Sequence, residues 1–340
     1  MTRPFKLAGG EVTVFGGSGF VGRHLVQRLA NAGAVVRVAV RDVEGAQFLK
    51  PLGDPGQIVP VAADIVDEGQ VAAAVSGAGA VVNLVGILFE SGPHTFEAVH
   101  HQGAATVAAA AKAAGVQRLV QISAIGAREV SDSAYARTKA AGEAAALKAF
   151  ADATIVRPSV IFGPEDNFFN LFAALARLSP VVPVFGSMPR PRFERGRLPS
   201  LDLFGSGGPR FQPVYVGDVA EAITTILEDP ATCGKRYQLG GPRVYSFKEL
   251  MELLLATLER RRLLVPVPFF VLSAEAAILE FLRLRLITRD QVRLLRRDNV
   301  VARRALGFAD LGIAPKTAEI ILPTYLERFR AHGRFTRPRA

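Results

Sequence analysis

Val12-Thr13-Val14-Phe15-Gly16-Gly17-Ser18-Gly19-Phe20-Val21-Gly22 decides how the first half of this chain is read. A short β-branched and aromatic run passes straight into glycines at 16, 19 and 22, and a helical pattern follows to about Ala32. Each glycine answers a separate steric demand. Gly16 allows the tight turn out of the strand, Gly19 lets backbone come close to a pyrophosphate, and Gly22 permits close helix–strand packing. The helix that opens there offers free N–H groups and the positive end of its dipole to phosphate oxygens. A glycine triplet alone is weak, but a strand before it, a helix after it and βαβ spacing beyond make a plain turn the poorer explanation.

Outward from that stretch, β-branched runs alternate with alanine-rich helical ones. Strands are expected at Val35–Val40, Ile58–Ala62, Ala80–Val85, Leu119–Ile122 and Thr154–Arg157. Between them, Val71–Val75, Ala104–Ala114 and Tyr135–Phe150 read as helix. Strands that are apolar throughout, separated by helices, indicate a parallel sheet covered on both faces. The fold class is therefore α/β: a Rossmann-type doubly wound parallel sheet with a smaller, mostly helical C-terminal domain. The first domain is expected to span residues 1–165 with a return segment at 210–242, and the second 166–209 and 243–335. Past Pro164, Phe168–Leu178 reads as helix and the Arg-, Pro- and Gly-rich Ser187–Gly208 as an exposed loop. Val214–Val216 and Asp218–Leu227 are read as the strand and helix that return to the first domain.

Composition narrows the functional classes. A chain of 340 residues, 49% of them hydrophobic, can bury the core of one large domain or two modest ones. The single Cys233 excludes an internal disulfide framework and a cysteine metal cluster. None of the five histidines stands at zinc-ligand spacing, so no metal is expected. The net charge of +10 admits nucleic acid, an anionic membrane or an acidic protein partner. No aromatic-interleaved RNA motif or zinc finger accompanies the arginines, so nucleic acid is not expected. Nothing reads as a secretory signal, since Met1–Glu11 is too short for one. The most apolar later stretch, Leu263–Leu282, is broken by Pro266, Pro268, Glu275 and Glu280, whereas a spanning helix needs about 20 nearly uncharged residues.

Two further groups carry chemistry. The second strand ends in Arg41-Asp42. An acid at this place suits the ribose 2′-hydroxyl of NAD, and an arginine suits the 2′-phosphate of NADP. Arg41, helped by Arg23, favours NADPH over NAD(H), and the adjacent Asp42 pulls the other way. Asp64, after the third strand, is placed for the adenine edge or is a plain surface acid. Ser123 follows the fifth strand, and Tyr135 and Lys139 stand at i and i+4 on one helix face. An ammonium beside a phenol lowers its pKa, which would suit Tyr135 to general acid–base work on a carbonyl or alcohol oxygen, with Ser123 bonding the same oxygen.

These motifs together resemble the extended, atypical form of the short-chain dehydrogenase/reductase family. The resemblance runs through Gly16–Gly22, Asn83-Leu84-Val85-Gly86, Ser123, Tyr135–Lys139 and Arg157-Pro158 through Gly163-Pro164. Within that family the chain is most similar to the NADPH-binding accessory subunits of respiratory complex I and their bacterial relatives. Asp166–Phe172, Arg210–Ala220, Asp290–Val301, Leu311-Gly312-Ile313 and Tyr325 carry that closer likeness. The arginine-rich Ser187–Phe204 stretch departs from it as an insertion.

The resemblance implies Ser123, Tyr135 and Lys139 as the catalytic set. It implies a nucleotide held by Gly16, Ser18, Gly19, Phe20, Gly22 and Arg23 at the glycine turn, and by Arg41, Asp64 and Ile65 beyond it. Asn83, Val85, Tyr135, Lys139 and Pro158 complete the expected contacts. Two function classes follow. One is a structural NADPH-holding subunit with complex I subunits as partners, peripheral on the cytoplasmic face of a bacterial inner membrane (the matrix side in a mitochondrion). The other is an NADP-dependent reductase, epimerase or dehydratase acting on a nucleotide sugar or a quinone- or isoprenoid-type substrate. The basic flanks of Leu263–Leu282 suit an anionic membrane surface as well as they suit a solvated wall of the small domain.

Overall fold

The computed structural model describes residues 5–187, 190–192, 200–273 and 288–330. In chain order the first elements are β1 (Glu11–Phe15), α1 (Phe20–Asn31), β2 (Val35–Val40), β3 (Ile58–Ala62), α2 (Glu68–Val75), β4 (Ala80–Asn83), α3 (Gly103–Ala113), β5 (Arg118–Ile122), α4 (Ala134–Ala149) and β6 (Thr154–Pro158). Next come β7 (Ile161–Phe162), α5 (Phe169–Leu178), β8 (Val181–Phe185), β9 (Arg190–Arg192), β10 (Ser200–Asp202), β11 (Arg210–Phe211) and β12 (Val214–Tyr215). The remainder is α6 (Val216–Glu228), β13 (Arg236–Leu239), β14 (Tyr245–Ser246), α7 (Phe247–Thr257), β15 (Leu263–Val267), α8 (Arg289–Leu295) and α9 (Ala318–Leu326).

The chain divides into two compact units. Unit one comprises Met1–Pro158, Val216–Leu239 and Ala302–Ala314; unit two comprises Ser159–Tyr215, Gly240–Val301 and Pro315–Ala340. The sequence reading differs at three places. The first boundary falls at Pro158 rather than 165, the return segment is shorter than 210–242, and Ala302–Ala314 also belongs to unit one.

Unit one holds a seven-stranded sheet in the order β13-β6-β5-β4-β1-β2-β3. All of its pairings are parallel. Central strands of such a sheet are covered on both faces, and β4 and β5 are accordingly buried along their whole length. Phe15, Val81, Val107 and Leu119 are among the side chains of one core cluster of this unit. The helices start where the sequence provides caps: Asp67 accepts from Gln70 N (2.9 Å) at α2, and Ser133 from Ala136 N (3.2 Å) at α4. Strand order reverses direction between β1 and β4, the switch point at which open α/β sheets bind ligands outside the carboxyl ends of their strands.

The returning strand is β13, not Val214–Val216. β12 pairs with β7 inside unit two, whereas β13 adds to β6 at the edge of the large sheet. At this edge Arg236 is exposed and Gln238 half-buried, so Arg236-Tyr237-Gln238-Leu239 lacks the continuous apolar run that marks the central strands.

Unit two is built around phenylalanines. Phe162, Phe169, Phe172, Phe211 and Phe247 are all buried in one cluster with Leu250 and Leu254. Asp166 organises its entry. Its carboxylate accepts from Phe169 N (2.6 Å), Asn170 N (3.2 Å), Gly163 N (3.2 Å) and the Tyr325 hydroxyl (2.6 Å). Arg210 pairs with Asp298 (2.9 Å), and Asn299 Oδ1 accepts from Ser159 Oγ (2.6 Å) and Val160 N (3.1 Å). Thus two pairs of the stretches on which the closer family likeness rests meet within this unit, Asp166 with Tyr325 and Arg210 with Asp298.

Two expectations for unit two are corrected. The stretch read as an exposed loop includes an antiparallel ribbon, in which β10 pairs with β9 through Ser200↔Arg192 and Asp202↔Arg190. The C-terminal domain, expected to be mostly helical, also contains β15, paired in parallel with β8. Pro266 and Pro268 remove donors that a helix would need, so Leu263–Val267 is extended and helix begins only at Phe269. Within Leu263–Leu282, Leu263 and Phe270 are exposed and Leu272 is buried, while 274–287 lies outside the described residues. Among the described residues no helix is long and apolar enough to cross a membrane, and no cluster of three or more His, Cys, Asp or Glu could hold a metal.

Candidate functional site

A cleft of about 690 Å³ opens at the carboxyl ends of β1 to β4 in unit one. That is within the range of small-molecule sites, roughly 300–1,000 Å³. Its wall includes Gly16, Ser18, Gly19, Phe20 and Gly22 from the glycine turn, Arg41 and Asp42 after β2, Asp64 and Ile65 after β3, and Val85 after β4.

The turn is shaped by what it excludes. Gly16 has φ +75°, a left-handed conformation that side chains rarely adopt. A Cβ on Gly22 would lie 2.3 Å from Gly16 O and 2.5 Å from Gly17 Cα. No side chain caps α1 at Gly19, so the first-turn N–H groups are left for an anion. The residues therefore fit a dinucleotide: a bare backbone cradle, a helix N-terminus and a cleft of sufficient size converge on one spot.

Other expected contacts take different places. Arg23 lies behind the turn, its guanidinium 5.0 Å over the Phe48 ring and its Nη2 donating to Ser18 O (3.4 Å). Asn83 also stands behind the wall. It is buried, donates to Gln121 Oε1 (2.9 Å) and accepts from Val85 N (3.1 Å), so it shapes the loop after β4 from within. Pro158 ends β6, and its carbonyl accepts from Ile125 N (3.0 Å). Asp42 lines the cleft, but its Oδ1 accepts from Gly45 N (2.8 Å) in a local turn.

The Ser123, Tyr135 and Lys139 constellation lies in unit one. Ser123 is buried, and its Oγ has no hydrogen-bond partner among the described residues. Lys139 is buried and donates to Val85 O (3.5 Å) and Ile122 O (3.4 Å), at the carboxyl ends of β4 and β5. Burial pulls its ammonium down to about 8, against which the Glu143 carboxylate pushes it up. Glu143 is itself buried and grips Arg157 with two hydrogen bonds, 2.8 and 2.6 Å.

The expectation that Lys139 acidifies Tyr135 is not met. Burial pushes the phenol up to about 12. Desolvation of the phenolate outweighs any help from the ammonium, whose donors turn to strand-end carbonyls.

Two histidines were missed. His94 lines the cleft and binds Asp64 Oδ2 (2.8 Å). His100 is buried beside Tyr135, with ring centroids 5.1 Å apart and planes at 85°. The His100–His101 pair offered one signal, because adjacent positions on a helix cannot share a face. His101 is the partly exposed member, bound to Glu97 (2.6 Å).

Sheet order, glycine turn and cleft together define an NAD(P)-binding protein of the dehydrogenase type. The chain belongs to the NAD-dependent epimerase/dehydratase family, whose model matches residues 12–240. It is 36% identical to a mitochondrial protein of Arabidopsis thaliana, NADH dehydrogenase (ubiquinone) 1 alpha subcomplex subunit 9, over 96% of this chain and 80% of that one. It is also 38% identical to a ceramide reductase of Caulobacter vibrioides, over 54% of this chain and 56% of that one. Among solved structures, the dTDP-glucose 4,6-dehydratase DesIV of Streptomyces venezuelae, with NAD bound, superposes with a TM-score of 0.66. It covers 94% of this chain and 96% of that one at 22% identity, a likeness of fold.

Proposed function

We propose that this chain is an NADPH-holding accessory subunit of a respiratory NADH:quinone oxidoreductase of the complex I type, with a structural rather than a turnover role. One observation carries it: 36% identity to the Arabidopsis complex I subunit over 96% of this chain. Ser18, Gly19 and Phe20 hold the pyrophosphate on the α1 N-terminus, and Arg41 meets a 2′-phosphate. Arg41 on the cleft wall supports NADP over NAD. Asp64, Ile65 and Val85 line the adenine and ribose course, and Tyr135 and Lys139 grip the nicotinamide ribose. When bound, the nucleotide supplies hydride chemistry in principle. Partners are other subunits of the complex. Exposed Leu178, Leu263 and Phe270, with Arg177 and Arg261 nearby in sequence, suit a seat at the anionic cytoplasmic surface of the membrane.

A second reading has its own support. Ser123 Oγ is buried without a partner among the described residues, as expected of a donor awaiting a substrate oxygen, and the local likeness to a ceramide reductase favours a lipid-like substrate over a nucleotide sugar. Affinity capture of the tagged chain from membranes in mild detergent, with mass spectrometry of released nucleotide, separates the two. Complex I subunits with stoichiometric NADPH are expected. A free protein would sink the subunit reading and move the weight to the enzyme. Within the same preparation, Arg41→Ala should weaken NADPH by about ten- to a hundred-fold, the loss of a charge-assisted hydrogen bond, and leave NADH unchanged.

A further inference from the structure

We infer that His100 is a positioning residue that locks the nucleotide-facing loop after β4 onto the Tyr135/Lys139 face of α4, and so sets the grip on the nicotinamide half of the ligand. The inference rests on the nucleotide reading above.

The geometry is closed at both ring nitrogens. Nε2 accepts from Ile87 N (3.0 Å), and Nδ1 lies 3.1 Å from Thr138 Oγ1. Thr138 spends its own proton on α4 carbonyls, Ala134 O at 2.9 Å or Tyr135 O at 3.1 Å, so it accepts from His100. The network therefore assigns a neutral ring with the proton on Nδ1. Neutrality fits the neighbourhood: burial and the Lys139 ammonium drive the imidazolium down to about 3.

Packing holds the ring equally firmly. Phe96 stacks on it at 5.4 Å, and Tyr135 meets it edge-on at 5.1 Å. His100 sits in a wide π-type turn, Glu97–Gln102, that opens α3. Such turns are rare and frequently mark functional sites. Two glycines accommodate the ring and its backbone. A Cβ on Gly142 would fall 1.9 Å from His100 O, and one on Gly86 would fall 2.9 Å from Lys139 Nζ and 3.8 Å from His100 Nε2. Leu84, Val85, Gly86 and Ile87 all line the cleft, so the loop that His100 ties down is the ligand's own wall.

Removing the ring leaves the Ile87 N–H without its acceptor, frees the loop and takes away the edge support of Tyr135. The glycine turn and Arg41 are untouched by it. Binding of NADPH should then suffer while binding of adenosine 2′,5′-bisphosphate, which lacks the whole nicotinamide mononucleotide half, should not.

The test uses the purified full chain and both ligands. For His100→Ala the expected result is about a ten-fold weaker Kd for NADPH, with the bisphosphate changed by less than about two-fold. His100→Gln, which keeps a donor and an acceptor, should recover most of the loss. An unchanged NADPH affinity overturns the inference, and so does an equal loss for both ligands, since that is damage to the fold as a whole. Should His100→Ala not fold, Thr138→Val removes the Nδ1 acceptor at nearly constant volume and is judged by the same two ratios. A wild-type chain that binds neither ligand overturns the nucleotide reading itself, a result distinct from either.

Discussion

Replacing Gly22 by alanine tests the site at its most constrained atom. The new Cβ would lie 2.3 Å from Gly16 O and 2.5 Å from the Gly17 backbone, where ordinary contact begins at 3.4 Å. Both neighbours are main chain, so relief requires α1 to move away from the turn by 3.4 − 2.3 = 1.1 Å. Overpacking of this kind costs about 1–3 kcal/mol of stability. A displacement of about 1 Å in a site built for one geometry is worth about a hundred-fold. Urea unfolding and NADPH fluorescence titration should therefore show both losses together. Gly19 is the control. Its φ of −73° suits alanine, and its Cβ would meet only Gly16 O at 3.2 Å. Gly19→Ala should keep stability within about 1 kcal/mol and still lose the nucleotide, because the methyl stands where phosphate must approach. A Gly22→Ala protein as stable as wild type, or a Gly19→Ala protein that binds normally, would refute this account of the turn.

Lys139 predicts an unusual pH dependence in the nucleotide-free protein. Its folded pKa is about 8 against an ordinary 10.5, so between those values the unfolded chain binds more protons and stability rises with pH, by up to about 1.4 kcal/mol per pH unit. Tyr135, raised from 10.0 to about 12, acts with the opposite sign above pH 10, so the rise is to be read between about pH 8 and 10. Denaturant midpoints of wild type and Lys139→Met should diverge across that window, and parallel curves would contradict the assignment. Glu143→Gln strands Arg157 next to a neutral amide and should cost about 3 kcal/mol, the lower end for breaking a buried pair, because Arg157 is partly exposed. A change below about 0.5 kcal/mol would show that pair to be dispensable.

Local chemistry explains which parts of this molecule can be read without coordinates. The glycine turn is legible because three consecutive steric demands, at Gly16, Gly19 and Gly22, admit one residue type. A central strand such as β4, with Ala80, Val81 and Val82 in succession, is legible because burial on both faces demands an apolar run. β13 was not, since its exposed Arg236 and half-buried Gln238 interrupt any such run. Ala302–Ala314 joins unit one through pairings such as Gln238 N to Leu306 O (2.8 Å), a backbone contact with no side-chain signature. His100 escaped for another reason. Its importance comes from Ile87, Thr138 and Tyr135, three positions remote from it or across the helix pair, and no spacing rule links them. The acidity of Tyr135 was misjudged because an i, i+4 spacing reports proximity of side chains and says nothing of how dry the place is.

The seventh strand bears on how the protein is made. The nucleotide cleft is lined from residues as early as Phe15 and is largely synthesised before Pro158 leaves the ribosome, yet β6 waits for Arg236–Leu239 before its outer edge is paired. During that interval of translation the sheet carries an open row of backbone donors and acceptors, the usual template for pairing with a foreign strand. A fragment ending at Pro158 would hold the glycine turn and much of the pocket and still be prone to self-association.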